Sequence, residues 1–201
     1  MKSNKIRTIF SLQHGITLVE MLIAIAITAV ISTAAATGIY QVIRINSSSS
    51  NHQLAVIQAQ NAVQYFSRDA QQAQKVIPQY NTGAAKPLDT SPPASTLISF
   101  DLSTGDKIMF QWMTWDSHLY QITYSLTNGV LQKATVIDSL PTGTLAVANN
   151  IINNGAGGDI SGNWNTATRI LSITVLKATV GTGASQISAI RTFQIDPRPA
   201  Q

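Results

Sequence analysis

From Met21 to Ile43 the chain carries no charged residue, and directly before that run stands Glu20, the only glutamate in 201 residues. No other feature restricts the fold as strongly. At ~1.5 Å per residue, this apolar run is long enough to cross a hydrocarbon core of ~30 Å as a single helix. A carboxylate near the end of such a helix is expensive and by default marks a function. The leader before it, Met1 to Gly15, holds Lys2, Lys5 and Arg7 and no acid. By the positive-inside rule the N-terminus stays cytoplasmic and everything beyond Arg44 lies outside.

An ordinary secretory signal is the competing reading. Such signals have an apolar core of ~7–15 residues followed by a small-residue cleavage site. Ala34-Ala35-Ala36 has that character, but the run is too long, and its best cleavage-like residue, Gly15, precedes it. A cut after Gly15 removes the basic leader and keeps the membrane helix, with Glu20 at its fifth position.

The order is basic leader, Gly15, Ile16, Thr17-Leu18, Val19, Glu20 and then a uniform apolar run. This pattern resembles the class III signal of type IV pilins and type II secretion pseudopilins. The resemblance covers about the first thirty residues. It implies that a membrane prepilin peptidase cuts between Gly15 and Ile16 and methylates the new amino group of Ile16. Two positions depart from the commonest pattern: Ile16 replaces Phe, and His14 stands where Lys or Arg is usual. The resemblance also implies a role for Glu20. A carboxylate in hydrocarbon costs several kcal/mol unless paired. The amino terminus of a neighbouring subunit, brought alongside in a helical bundle, is a fitting cation. Spacing alone allows the plainer alternative of a wet carboxylate at headgroup level.

Composition narrows the class further. Removing the leader takes three of thirteen basic residues, so ten remain against nine acids. The basicity is therefore mostly a topology signal, not a nucleic-acid footprint. There is no cysteine, so the outer region holds together without the disulfide that closes many major pilins. That favours a minor pilin or pseudopilin.

No proline precedes Pro78, so the helix can run from Ile16 to about Ile77. Beyond Arg44 its character changes. Ala55, Ala59, Ala62, Phe66, Ala70, Ala73 and Ile77 recur at steps of three and four and define one apolar face suited to packing on a sheet. Gly38 and the run Asn46 to Ser50 are the two candidate soft points of this helix.

Residues 78–95 contain Pro78, Gly83, Pro87, Pro92 and Pro93 and read as a loop. Strand-like runs follow at Thr96–Asp101, Asp106–Trp115, Leu119–Leu126, Val130–Ile137, Arg169–Val180 and Gln186–Ile195. Asn128-Gly129 is a strong type I′ hairpin signal. The phrase from Tyr124 to Lys133 resembles the Y-x-L-x-x-G-x-L-x-R hairpin of J-type pseudopilins, with Lys133 in place of Arg. Leu140-Pro141-Thr142-Gly143 reads as a turn.

Sites for chemistry are sparse. His14, His52 and His118 are scattered, no zinc motif is present, and no Ser-His-Asp signature is recognisable. Trp112, Trp115, Tyr120 and Tyr124 read as core or interface packing. Asp159, Asn163 and Asn165 offer hard oxygens that suit calcium, but one carboxylate is a poor start, and the stretch Asn153–Asn165 reads better as a flexible exposed loop. The expectation is a non-enzymatic chain with no cofactor.

The expected architecture is α+β and pilin-like. It comprises a leader (1–15), a membrane or filament-core helix (16–44), an amphipathic helix (45–77) and an extracytoplasmic β-rich head on an antiparallel sheet (78–201). The expected partners are prepilin peptidase, other pilin or pseudopilin subunits through the N-terminal helix, the inner-membrane assembly machinery, and the cytoplasmic membrane before assembly. Two rivals stand beside this reading. One is an adhesive or DNA-binding pilin, for which Lys107, Lys133, Arg169, Lys177 and Arg191 are scattered candidates. The other is a simple membrane-anchored extracytoplasmic protein, cut elsewhere or not cut.

Overall fold

The computed structural model describes residues 17–87, 96–151, 159–181 and 186–197. It divides into two compact units, residues 1–46 and 47–201. A single helix, α1 (Leu18–Gln72), contributes to both.

In the first unit the helix is exposed on every side through Asn46. Its polar side chains have internal solutions. The hydroxyls of Thr28, Thr33 and Thr37 donate to the carbonyls of Ala24, Ala29 and Thr33 at 2.7, 2.8 and 2.8 Å. Hydroxyls bonded back one turn need no water, which suits a helix in an apolar medium.

In the second unit the helix has one dry face. Ala55, Ala59, Ala62, Phe66, Ala70 and Ala73 are fully buried. Alanine lets a sheet approach closely, and Phe66 fills the remaining space. Its ring stacks on Tyr124 at 4.2 Å between centroids and meets Phe110 edge-on at 5.9 Å.

The helix ends at Gln72, five residues before the expected Ile77. Lys75–Gln79 instead forms strand β1. Pro78 disfavours a helical conformation at Ile77, and pairing with the following sheet supplies a better use for these backbone groups. Gln74 N donates to Gln111 O at 2.9 Å, and Val76 and Pro78 turn inward.

The remaining strands are β2 (Leu97–Asp101), β3 (Lys107–Met113), β4 (Leu119–Thr127), β5 (Val130–Ile137), β6 (Leu140–Ala148), β7 (Ile160–Asn165), β8 (Ile170–Val180) and β9 (Ile187–Ile195). They form two antiparallel sheets, ordered β1-β3-β4-β5-β6 and β2-β7-β8-β9. The arrangement is α+β and pilin-like, as expected. The β4–β5 turn has Asn128 at φ 50° and Gly129 at φ 74°, the type I′ geometry.

Two strands depart from the sequence reading. Leu140–Gly143 opens β6 and is not merely a turn. Its Pro141 is tolerated because β6 is an edge strand. Residues 160–165 form β7, not loop, while 152–158 lie outside the described residues. Ile160 and Trp164 point into the core, and Gly162 sits between them on the same face. A Cβ there would lie 2.5 Å from Ser172 O and 2.7 Å from Phe100 Cζ. The strand needs glycine at this crossing, and that glycine disguises the alternation.

Candidate processing and assembly site

Thr17 immediately precedes the first helical residue, and Glu20 lies three positions on. The pair forms a reciprocal cap. Glu20 Oε2 accepts from Thr17 N at 2.9 Å and from Thr17 Oγ1 at 3.1 Å, while Glu20 N donates to Thr17 Oγ1 at 3.3 Å. Met21 N closes the first turn on Thr17 O at 3.2 Å. This is a capping box, which satisfies helix-end donors that otherwise go unpaired. A carboxylate here also complements the positive end of the helix dipole. The spacing Thr-x-x-Glu is the sequence signal for this cap, and it adds Thr17 to Glu20 as a site residue.

Around this cap the surface is apolar and open. Leu18, Met21, Leu22, Ile25, Val30 and Ile31 are exposed among the described residues. The helix is long and apolar enough to cross a membrane. Glu20 is the only ionisable side chain from Thr17 to Ile43, the tyrosine at position 40 aside. Gly15 and Ile16, the expected cleavage pair, lie outside the described residues, as does His14.

A second constellation lies inside the head. Asp69 is 3% exposed, on the dry side of the helix next to Ala70. Lys133 Nζ approaches its Oδ2 at 2.6 Å, and Tyr124 Oη donates to the same oxygen at 2.6 Å. Tyr124 and Lys133 face each other across the β4–β5 hairpin. The hairpin phrase therefore has a physical content: its Tyr and its Lys converge on one helix carboxylate. Burial, with the Asp69 charge second, holds the Tyr124 phenol well above its ordinary range. Asp69 was not foreseen, since a lone Asp beside an alanine stripe reads as a solvated flank.

The other sequence candidates are placed as follows. Asn163 Oδ1 accepts from Ser99 Oγ at 2.7 Å, and Asn165 Oδ1 caps the next turn through Ala167 N and Thr168 N at 2.9 and 3.0 Å. Asp159 is buried ahead of β7. Both amide oxygens thus have protein donors, and among the described residues no group of three or more acidic, His or Cys side chains is placed to hold a metal ion.

Trp112 and Tyr120 stack at 5.7 Å, Tyr124 is core, and Trp115 is 97% exposed on the β3–β4 turn. His118 binds the Asp138 carboxylate through Nδ1 and has Asp116 Oδ2 at 3.7 Å from Nε2, tying two turns together. The bond to Asp138 raises the His118 imidazole above its ordinary value, and Asp138 is lowered, chiefly by the Leu119 amide. Of the five scattered cations, Lys133 serves the buried pair and Arg169 donates to Gln74 O at 2.8 Å.

Residues 10–36 match the family model described as the prokaryotic N-terminal methylation motif. This is the class III signal of type IV pilins and pseudopilins, and it brackets the expected cut, Thr17, Glu20 and the start of the apolar helix. It supports a type IV pilin-like precursor of the kind processed by prepilin peptidase, and with the apolar helix it fits a membrane-anchored pilin. No curated protein and no solved structure matches the chain.

Proposed function

We propose that this chain is a structural subunit cut after Gly15, methylated on Ile16 and polymerised through residues 16–44 into a type IV pilus or secretion pseudopilus. Before assembly it sits in the cytoplasmic membrane with its N-terminus inside, and afterwards its head is extracytoplasmic. Its work is mechanical, with an assembly ATPase elsewhere supplying energy. Within that class we favour a minor or tip component, on the missing disulfide and the J-like hairpin phrase.

The observation that carries this reading is Glu20, a lone carboxylate on an uncovered apolar helix inside the methylation motif. In the single chain it caps its own helix through Oε2. A neighbour's amino terminus can approach the other oxygen without dismantling the cap. The carboxylate gains a charge partner only when a second subunit arrives, so the cost of leaving it in oil favours assembly in one axial stagger.

Mass spectrometry of the mature protein tests the processing: a chain beginning at Ile16 and one methyl heavier is expected, and an intact leader overturns it. Glu20→Ala tests the pairing separately. Cleavage should proceed while incorporation into filaments falls, and normal filament levels would remove the pairing argument.

A further inference from the structure

The Glu20 carboxylate has two oxygens, and its own chain uses one of them. Oε2 takes both donors of Thr17, the backbone N–H at 2.9 Å and the hydroxyl at 3.1 Å. Among the described residues no donor reaches Oε1. Thr17 Oγ1 also accepts from Glu20 N at 3.3 Å, so three bonds tie this one side chain to the residue before the helix. From Leu18 to Ile27 Glu20 is the only polar residue, so no other side chain on this stretch can take over from Thr17.

The cap is present in the uncut chain, and neither of its donors is created by the cut. The carboxylate is therefore held before a neighbour arrives. A glutamate free to rotate about its side-chain torsions loses that freedom when it pairs. Two bonds to a single oxygen remove most of it in advance, and an ordered group binds at lower entropic cost.

We propose that Thr17 is a positioning residue for assembly: by fixing Oε2 it presents Oε1 to the amino terminus of the neighbouring subunit. The inference rests on the Glu20 pairing set out under the proposed function. Thr17 need not touch the neighbour, because it acts through the carboxylate. A cap that satisfied Glu20 completely would work the other way, and its loss would speed assembly. The unused Oε1 argues against that, because a carboxylate in oil still lacks a cation.

The test uses the full-length chain in its native host, with the share of cleaved chain found in filaments as the readout. Thr17→Val keeps the shape and removes the hydroxyl. Cleavage after Gly15 should be unchanged, while the filament share falls about fivefold, the scale of a lost cap hydroxyl. Thr17→Ser should restore it. Thr28→Val deletes a hydroxyl that donates to Ala24 O at 2.7 Å on the same helix, and it should change nothing. Glu20→Ala should fall further than Thr17→Val, since Thr17 N still holds Oε2 in the latter. If Glu20→Ala lowers the filament share and Thr17→Val leaves or raises it, the positioning role is overturned and the pairing stands. A normal share in Glu20→Ala removes the pairing and this inference with it. Failure of Thr17→Ser to restore the share, or an equal fall in Thr28→Val, would also overturn the positioning role.

Discussion

The two halves of α1 share a secondary structure and little else. Residues 18–46 expose every side chain, and their hydroxyls fold back onto the helix's own carbonyls. Residues 47–72 bury an alanine face and set the Asp69 carboxyl group into the core. The first half leaves apolar surface with no internal partner. The second brings Asp69 indoors and matches it to Lys133 and Tyr124, while at its part-exposed flank Gln58 Oε1 accepts from Asn149 N at 2.8 Å. Apolar surface left uncovered by its own chain must be covered by lipid or by other helices. A buried charge must find its partner within the fold or not be there at all.

The sharpest test of this contrast is Asp69→Ala. It strands the Lys133 ammonium, which is 15% exposed, and leaves Tyr124 Oη without its acceptor. The expected loss of head stability is ~3–5 kcal/mol. Denaturant unfolding of the full chain in detergent, followed by near-UV signals of the head, would measure it. Asp69→Leu combined with Lys133→Met should recover most of the loss, because the pair's own desolvation cost disappears with it.

The next test sets one half against the other with matched substitutions. Ala62→Phe overfills a fully buried contact and should cost ~1–3 kcal/mol. Ala26→Phe on the exposed half should leave the same unfolding curve within ~0.5 kcal/mol. Equal effects would mean that the exposed half is not free of the head's stability.

A smaller effect is expected at the helix start. Thr17→Val deletes the hydroxyl of the capping box at a cost of ~1 kcal/mol of local helix stability. Hydrogen exchange at amides 18–21 should quicken, while amides in the second half stay unchanged. Thr17→Ser should restore protection.

The smallest effect is the pH response of the turns at His118. The imidazole is raised by Asp138, so its contribution is complete below the ordinary histidine value of ~6.5 and is lost as pH climbs through the raised value. Asp138 and Asp116 are lowered, so their contributions hold above the ordinary carboxylate value of ~3.9 and vanish as pH falls through the depressed values. These groups are in water, and the change in global stability should be slight. The imidazole proton shifts of His118 should titrate above the ordinary value, and Asp138→Asn should bring the midpoint down.

Much of this protein was legible because some patterns depend only on neighbours along the chain. The apolar run, the alanine stripe and the Asn128-Gly129 turn are local, and each took the form its residues prescribe. The helix end was misread because Ile77 continued a three-four spacing by coincidence, while Pro78 and the pairing of β1 with β3 decided otherwise. β6 and β7 were misread because Pro141, Gly143 and Gly162 are turn residues in isolation. At an edge and at a tight crossing they serve a strand. Asp69 was invisible because nothing in its neighbourhood says that a Lys 64 positions later will arrive beside it.

The sequence alone determined a methylation-motif pattern, a single glutamate and a helix long and apolar enough to cross a membrane. Those properties reside in residue types and spacings that no packing can alter. Only the tertiary structure decided which alanines touch a sheet, which carboxylate enters the core and which strands lie at the sheet edges. Those depend on contacts between residues far apart in sequence, where the free energy of meeting is set by geometry that neither partner encodes by itself.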